Sequence, residues 1–195
     1  LSMKNFNKII SFNSKSGIIE AESGLLLKDL LPTITKKGWF LAVTPGTKYV
    51  SLGGMAANNV IGKNTNNNQI KYHIKKIRLM KANKKIIICS KKKNKKIFDL
   101  TIGGLGLTGI ILSVNFKLKK IYSKNIEQKL IEFSTFKEFY EISKKSKKYE
   151  YSVCWIDNFN NKKIQGLYHL GNHSRQKVYR KSGNFIFKKM GLFTL

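Results

Sequence analysis

Thr44-Pro45-Gly46-Thr47-Lys48-Tyr49-Val50-Ser51-Leu52-Gly53-Gly54-Met55-Ala56-Ala57-Asn58-Asn59-Val60-Ile61-Gly62-Lys63-Asn64 holds four of the fifteen glycines and one of the two prolines in a polar, small-residue track. Glycine admits positive φ and has no Cβ, so a flat or anionic ligand can lie directly on backbone N–H groups. A second track follows at Thr101-Ile102-Gly103-Gly104-Leu105-Gly106-Leu107-Thr108-Gly109-Ile110-Ile111. Each track leads into or out of an apolar run, which predicts two walls of one extended ligand site.

Outward from the first track, Trp39 to Val43 reads as a short buried strand that delivers the chain to it. Upstream, Phe6 to Phe12 and Ile18 to Glu22 read as a hairpin around the turn Asn13-Ser14-Lys15-Ser16-Gly17. Apolar positions 26, 27, 30, 31 and 34 fit one helix face, which Pro32 should kink or shorten and Gly38 should stop. Downstream, the asparagine-rich stretch 64–69 is a loop. Ile74 to Met80 and Ile86 to Cys89 are strands joined by a turn at Lys81 to Lys84, and Lys91 to Lys96 is a solvated loop tip. Ile110 to Ile121 alternates Val114, Phe116 and Leu118 with Asn115, Lys117 and Lys119, as a half-buried strand does.

A composition shift at Tyr122-Ser123-Lys124-Asn125 marks a boundary that divides the chain into 1–121 and 122–195. Beyond it, Phe136, Phe139, Tyr140 and Ser143 line one side of a helix, with Ser134 or Thr135 as N-cap and Glu138 in its first turn. Tyr151 to Ile156 and Ile164 to Leu170 read as paired strands around a turn at Asn158 to Lys163. The predicted fold class is α+β.

The formal net charge is +28, which by itself suggests a nucleic-acid or anionic-surface binder. Of the 38 basic residues, however, 35 are lysine and only Arg78, Arg175 and Arg180 are arginine. Arginine is the residue that forks onto phosphate and guanine, so no specific nucleic-acid partner is expected. Lysine, asparagine and isoleucine are inflated together, the pattern of AT-rich coding. No apolar run of about 18 residues exists to span a membrane, and no signal-peptide pattern opens the chain. Cys89 and Cys154 are expected to be buried reduced thiols. His169 and His173 are separated by Leu170-Gly171-Asn172, read as a turn, and no metal site is expected from them.

The collinear order of Gly38 to Thr47, Gly53 to Asn58, Gly62-Lys63-Asn64, the second glycine track, Tyr151 to Asp157 and Gly171-Asn172-His173 resembles the vanillyl-alcohol-oxidase/p-cresol-methylhydroxylase (PCMH) type of FAD-binding fold. Within it the chain looks most like the decaprenylphosphoryl-ribose-oxidase-like FAD-linked oxidoreductases. The resemblance implies the C-terminal part of a PCMH-type FAD-binding domain over 1–121, followed by the start of an α+β substrate domain over 122–195. It implies an FAD enzyme that removes a hydride from a secondary alcohol, a sugar hydroxyl on a lipid-phosphate-type or similar carrier. The cofactor-contacting positions it implies are Gly46, Thr47, Ser51, Leu52, Gly53, Gly54, Asn58, Asn59, Ile61, Gly104, Gly106 and Ile111, with Lys63 as the catalytic candidate beside substrate and flavin. Amides of the 46–54 track would meet phosphate oxygens, and Gly103, Gly104 and Gly106 would leave room for a flat ring.

Partners implied are a small-molecule or lipid-linked sugar substrate and a reductase, with a cytoplasmic location that extends to the membrane surface. The chain departs from the pattern in having Ile61 where relatives often carry histidine, which excludes covalent flavin attachment there. Both ends read as cut, an internal fragment of a longer enzyme. The alternatives are a basic polyanion binder and a degenerate, non-catalytic remnant.

Overall fold

The computed structural model describes residues 2–64, 67–157 and 165–175. Strands β1 (Ile9–Asn13) and β2 (Ile18–Glu22) form the expected hairpin. Its turn is held by the Asn13 side-chain oxygen, which accepts from the amides of Lys15 and Ser16. At Gly17 (φ +67°) a Cβ would fall 2.1 Å from the Trp39 ring, so only glycine closes the turn.

Helix α1 (Leu27–Thr35) buries Leu27, Leu30 and Ile34, the spacing of one helix face. Pro32 lies inside it; the helix runs on to Thr35, and Gly38 (φ +75°) redirects the chain. The next strand is shorter than expected. β3 spans Trp39–Phe40 alone, because its partner β7 (Lys119–Lys120) offers only two residues. Leu41 and Val43 remain fully buried, but on loop backbone.

Helix α2 (Leu52–Ala57) lies in the middle of the first glycine track, to which the sequence assigned no element. Strands β4 (Ile74–Met80), β5 (Ile86–Ser90) and β6 (Ile110–Lys117) complete an antiparallel five-stranded sheet of order β1-β2-β6-β4-β5. The expected lysine loop tip is also shorter. Lys95 and Lys96 begin helix α3 (Lys95–Thr101), which is fixed by burial of Phe98 and Thr101 three residues apart. Residues from the sheet (Ile19, Ile77, Leu79, Val114, Phe116) and from α1, α2 and α3 share one continuous core. Each fully buried aliphatic side chain there contributes about 1.5–3 kcal/mol.

A second sheet, of order β8-β10-β9, is built from β8 (Ile126–Phe133), β9 (Tyr151–Asp157) and β10 (Gln165–His173). Helix α4 (Phe136–Ser146) starts as expected. The Thr135 hydroxyl accepts from the Glu138 amide (3.2 Å), and the Glu138 carboxylate accepts from the Ser134 amide (2.7 Å). Phe133, Tyr168 and Leu170 form a small core with Phe139 and Ile142. The expected turn at Leu170-Gly171-Asn172 is instead continuous strand, with Gly171 opposite both Gln128 and Tyr151. The expected turn at 158–163 lies outside the described residues.

Backbone pairing stitches the two sheets together. The Ser152 amide donates to the Lys63 carbonyl at 2.9 Å, and Asn64 bridges Tyr151. Lys119 pairs with Glu150 at 2.7 Å. His173 fills the same seam with its ring edge-on to Phe40, centroids 5.0 Å apart.

Candidate functional site

The two glycine tracks lie side by side. The Gly103 and Leu105 amides donate to the carbonyls of Ala56 and Ala57 at the end of α2, each at 3.0 Å. Ile111, 7% exposed, lies in the core on β6, against which α2 packs.

Within the first track the amides divide into two groups. Ser51 caps α2 by accepting from the Gly54 amide (3.2 Å), while the Leu52 and Gly53 amides donate to the Leu25 and Ser23 carbonyls. Those three N–H groups are therefore spent inside the protein and cannot also bind phosphate. Starting a helix at Leu52 is what consumes them. Gly46, Thr47 and Lys48, on the exposed loop before α2, make no amide hydrogen bond with the described residues. This loop is the part of the track that can receive an anion.

The glycines divide the same way. A Cβ on Gly53 would fall 2.7 Å from the Ser23 Cβ, and one on Gly104 would fall 2.0 Å from the Leu100 carbonyl oxygen. Both are glycine so that backbone can pass closely, and no ring-sized space opens on the Cβ side of Gly104. Gly103 (φ +82°) would bring a Cβ 3.2 Å from that of Asn59. At Gly46 and Gly106 nothing lies within 4 Å of the position a Cβ would take, so these two leave open space beside the main chain.

Asn58 and Asn59 serve the local fold. The Asn58 side chain donates to the Gly54 carbonyl (2.9 Å), and Asn59, at φ +42°, bonds Gln69 and the Lys71 amide. Ile61 is 63% exposed on a short bridge to Gln69.

Lys63 stands where the loop after α2 meets β9. Its amide donates to the Thr44 carbonyl (3.2 Å), and its carbonyl accepts from Ser152. Gly62 is compulsory here, since a Cβ would lie 2.8 Å from the Thr44 nitrogen and from Val43 Cγ1. The side chain borders an open cleft of about 350 Å³ between this loop and the sheet carrying α4. Tyr168, Ser152, Ser143 and Lys147 also line that cleft, and none of them was singled out from the sequence as a site residue. Their approach depends on the pairing of β9 with the Lys63 loop, which no local pattern encodes.

Histidines flank this region. Burial, reinforced by the Lys63 charge, holds His169 below the ordinary imidazole range. Burial does the same to His173 against the pull of the Ser123 hydrogen bond. The Ser123 carbonyl can only accept, so His173 Nδ1 carries the proton (2.9 Å) and Nε2 accepts from the Tyr151 hydroxyl (3.0 Å). Burial and the Glu150 charge push the Tyr151 phenol well above its usual range, so it remains a donor.

Residues 1–90 match the family model for an FAD binding domain. Decaprenylphosphoryl-beta-D-ribose oxidase of Mycolicibacterium smegmatis is 28% identical over 120 residues, 60% of this chain and 26% of that protein. L-gulonolactone oxidase of Mus musculus is 30% identical over 122 residues, 60% of this chain and 27% of that protein. D-lactate dehydrogenase of Anaerostipes hadrus is 24% identical over 128 residues, 60% of this chain and 26% of that protein. The chain spans about a quarter of the length of these curated relatives.

Proposed function

We propose that the protein is an FAD-dependent oxidoreductase acting on a CH–OH group, and that its substrate is a sugar hydroxyl on a lipid-phosphate-type carrier. The observation that carries this reading is the junction of the exposed 46–48 loop, the two abutting glycine tracks and the Lys63 cleft. The free amides of Gly46, Thr47 and Lys48 suit the cofactor's pyrophosphate, because N–H groups without an internal partner gain a full hydrogen bond on binding. Open space at Gly46 and Gly106 suits close approach of a flat group to main chain. Ser51 and Gly54 shape this wall from behind, as do Leu52, Gly53, Asn58, Asn59, Gly104 and Ile111. FAD, when bound, supplies the two-electron acceptor for the substrate hydride.

Lys63 brings a positive charge to the edge of the cleft, where it can hold an anionic substrate group or offset negative charge that develops during oxidation. Its backbone is fixed on both sides, by Thr44 and Ser152, so the side chain is delivered from a rigid position. Ile61 leaves no histidine two residues before it, and a flavin here is held without a covalent bond to that position.

The test is anaerobic titration of the purified flavoprotein with phosphate-linked sugars while the flavin absorbance is followed. Bleaching by substrate, lost in Lys63→Met, is the expected result. A folded protein whose bound flavin is not reduced by any secondary alcohol would overturn the reading.

A further inference from the structure

The cleft beside Lys63 is open, and the charged residues that line it are of one sign. Its two charged lining residues are Lys63, on the loop, and Lys147, which closes the C-terminal end of α4. Neither lysine forms an ion pair among the described residues, and no carboxylate lines the cleft. Tyr168, 7% exposed and packed on Phe139, lines the same cleft, and its hydroxyl makes no hydrogen bond among the described residues. Ser143, on α4, and Ser152, on β9, also line the cleft.

We propose that this cleft is the binding subsite for the phosphoryl group of the substrate, with Lys147, Lys63 and the Tyr168 hydroxyl as its donors. A phosphoryl group has several acceptor oxygens pointing in different directions, and donors converging from α4, β10 and the Lys63 loop match that demand. The proposal rests on the oxidoreductase reading for the identity of the substrate, and on the cleft alone for the anion. It assigns specificity to α4, an element outside the FAD-binding domain. The competing account of Lys147 is that it only complements the carbonyl end of α4, together with Lys144, Lys145 and Lys148.

Calorimetric titration of the protein with inorganic phosphate and with glucose 1-phosphate separates the two accounts, with FAD uptake measured on the same samples. Lys147→Gln and Tyr168→Phe are compared with Lys91→Gln, which removes the same charge from the remote loop tip. The subsite predicts about tenfold weaker binding for Lys147→Gln and a smaller loss for Tyr168→Phe, with Lys91→Gln within about twofold of the parent. A parallel arm uses phosphatidylcholine vesicles carrying a polyprenyl phosphate. Lys147-dependent binding to the soluble phosphates marks a soluble substrate, and such dependence on the vesicles alone marks a lipid-borne one. Equal effects of Lys147→Gln and Lys91→Gln in both arms overturn the subsite. FAD uptake with no Lys147 dependence sinks the subsite alone, whereas Lys147-dependent binding without FAD uptake sinks the oxidoreductase reading alone.

Discussion

At the scale of single residues, the glycines of the two tracks do different work. Gly104→Ala must place a methyl 2.0 Å from the Leu100 carbonyl oxygen, so the end of α3 or the turn has to move. It is expected to cost about 1–3 kcal/mol, read as a lower urea midpoint. Gly46→Ala meets nothing within 4 Å and should leave that midpoint unchanged within about 0.5 kcal/mol, while weakening FAD binding. A Gly46→Ala variant as unstable as Gly104→Ala would contradict this division. Sequence makes glycines visible without saying what stands opposite each missing Cβ. Ser23 behind Gly53 and Leu100 behind Gly104 come from contacts that the local pattern does not contain. Glu20 is a similar case. It pairs with Lys76 at 2.8 Å and accepts from the Ser113 hydroxyl at 2.9 Å, bringing three strands together, and it is buried between Ile19 and Ala21, where strand alternation would place it outside.

Among the elements, α4 was the most legible, because its start is local chemistry: Thr135, Glu138 and a stripe of aromatic residues. Thr135→Ala removes the cap of the Glu138 amide and should cost about 1 kcal/mol, measured as a lower thermal midpoint. No change in that midpoint would mean the Glu138–Ser134 bond alone caps the helix. Helix α2 was hidden because glycine and small residues dominate it, a composition that reads as loop. It forms because Ser51 caps it and because Leu52, Met55 and Ala56 are buried, a tertiary effect. β8 was hidden for the opposite reason. From Ile126 to Leu130 every residue is exposed, so no apolar alternation announces the strand. Its partner β10 reads clearly only as far as Leu170, since Gly171 and Asn172 carry turn chemistry that strand pairing overrides.

For the molecule as a whole, stability should fall on acidification in two windows. His173 and His169 are held below the ordinary value of 6.5, so the unfolded chain binds their protons first. Stability is therefore lost as pH drops below 6.5 and continues to fall until the folded-state values are passed. Burial raises Glu20 and Glu150, but their bonds to Lys76, Ser113 and Lys119 outweigh it and leave both below 4.5. Their contribution is complete above 4.5 and is lost as pH falls through the lowered values. Urea midpoints measured across pH should show both steps, with the upper one flattened in His173→Gln. A midpoint that rises on acidification toward pH 5 would contradict the neutral, Tyr151-bonded state of His173. The net charge of +28 adds a third whole-molecule property, a general attraction to polyanions that should vanish at high salt. Order along the chain was enough to suggest the family, but the seam between the sheets was not legible, because it is made by Lys63 and Ser152 backbone and by the His173 ring.

The adjacency of the two glycine tracks is tested most directly by fluorescence titration of the protein with FAD, comparing the parent with Gly46→Val and with Gly106→Asn, asparagine being a side chain that tolerates the +83° φ of that position. Saturable binding of one FAD per chain, weakened at least about tenfold in both variants without loss of fold, is the predicted result. A correctly folded protein that takes up no FAD, or one whose affinity is indifferent to both substitutions, would contradict it.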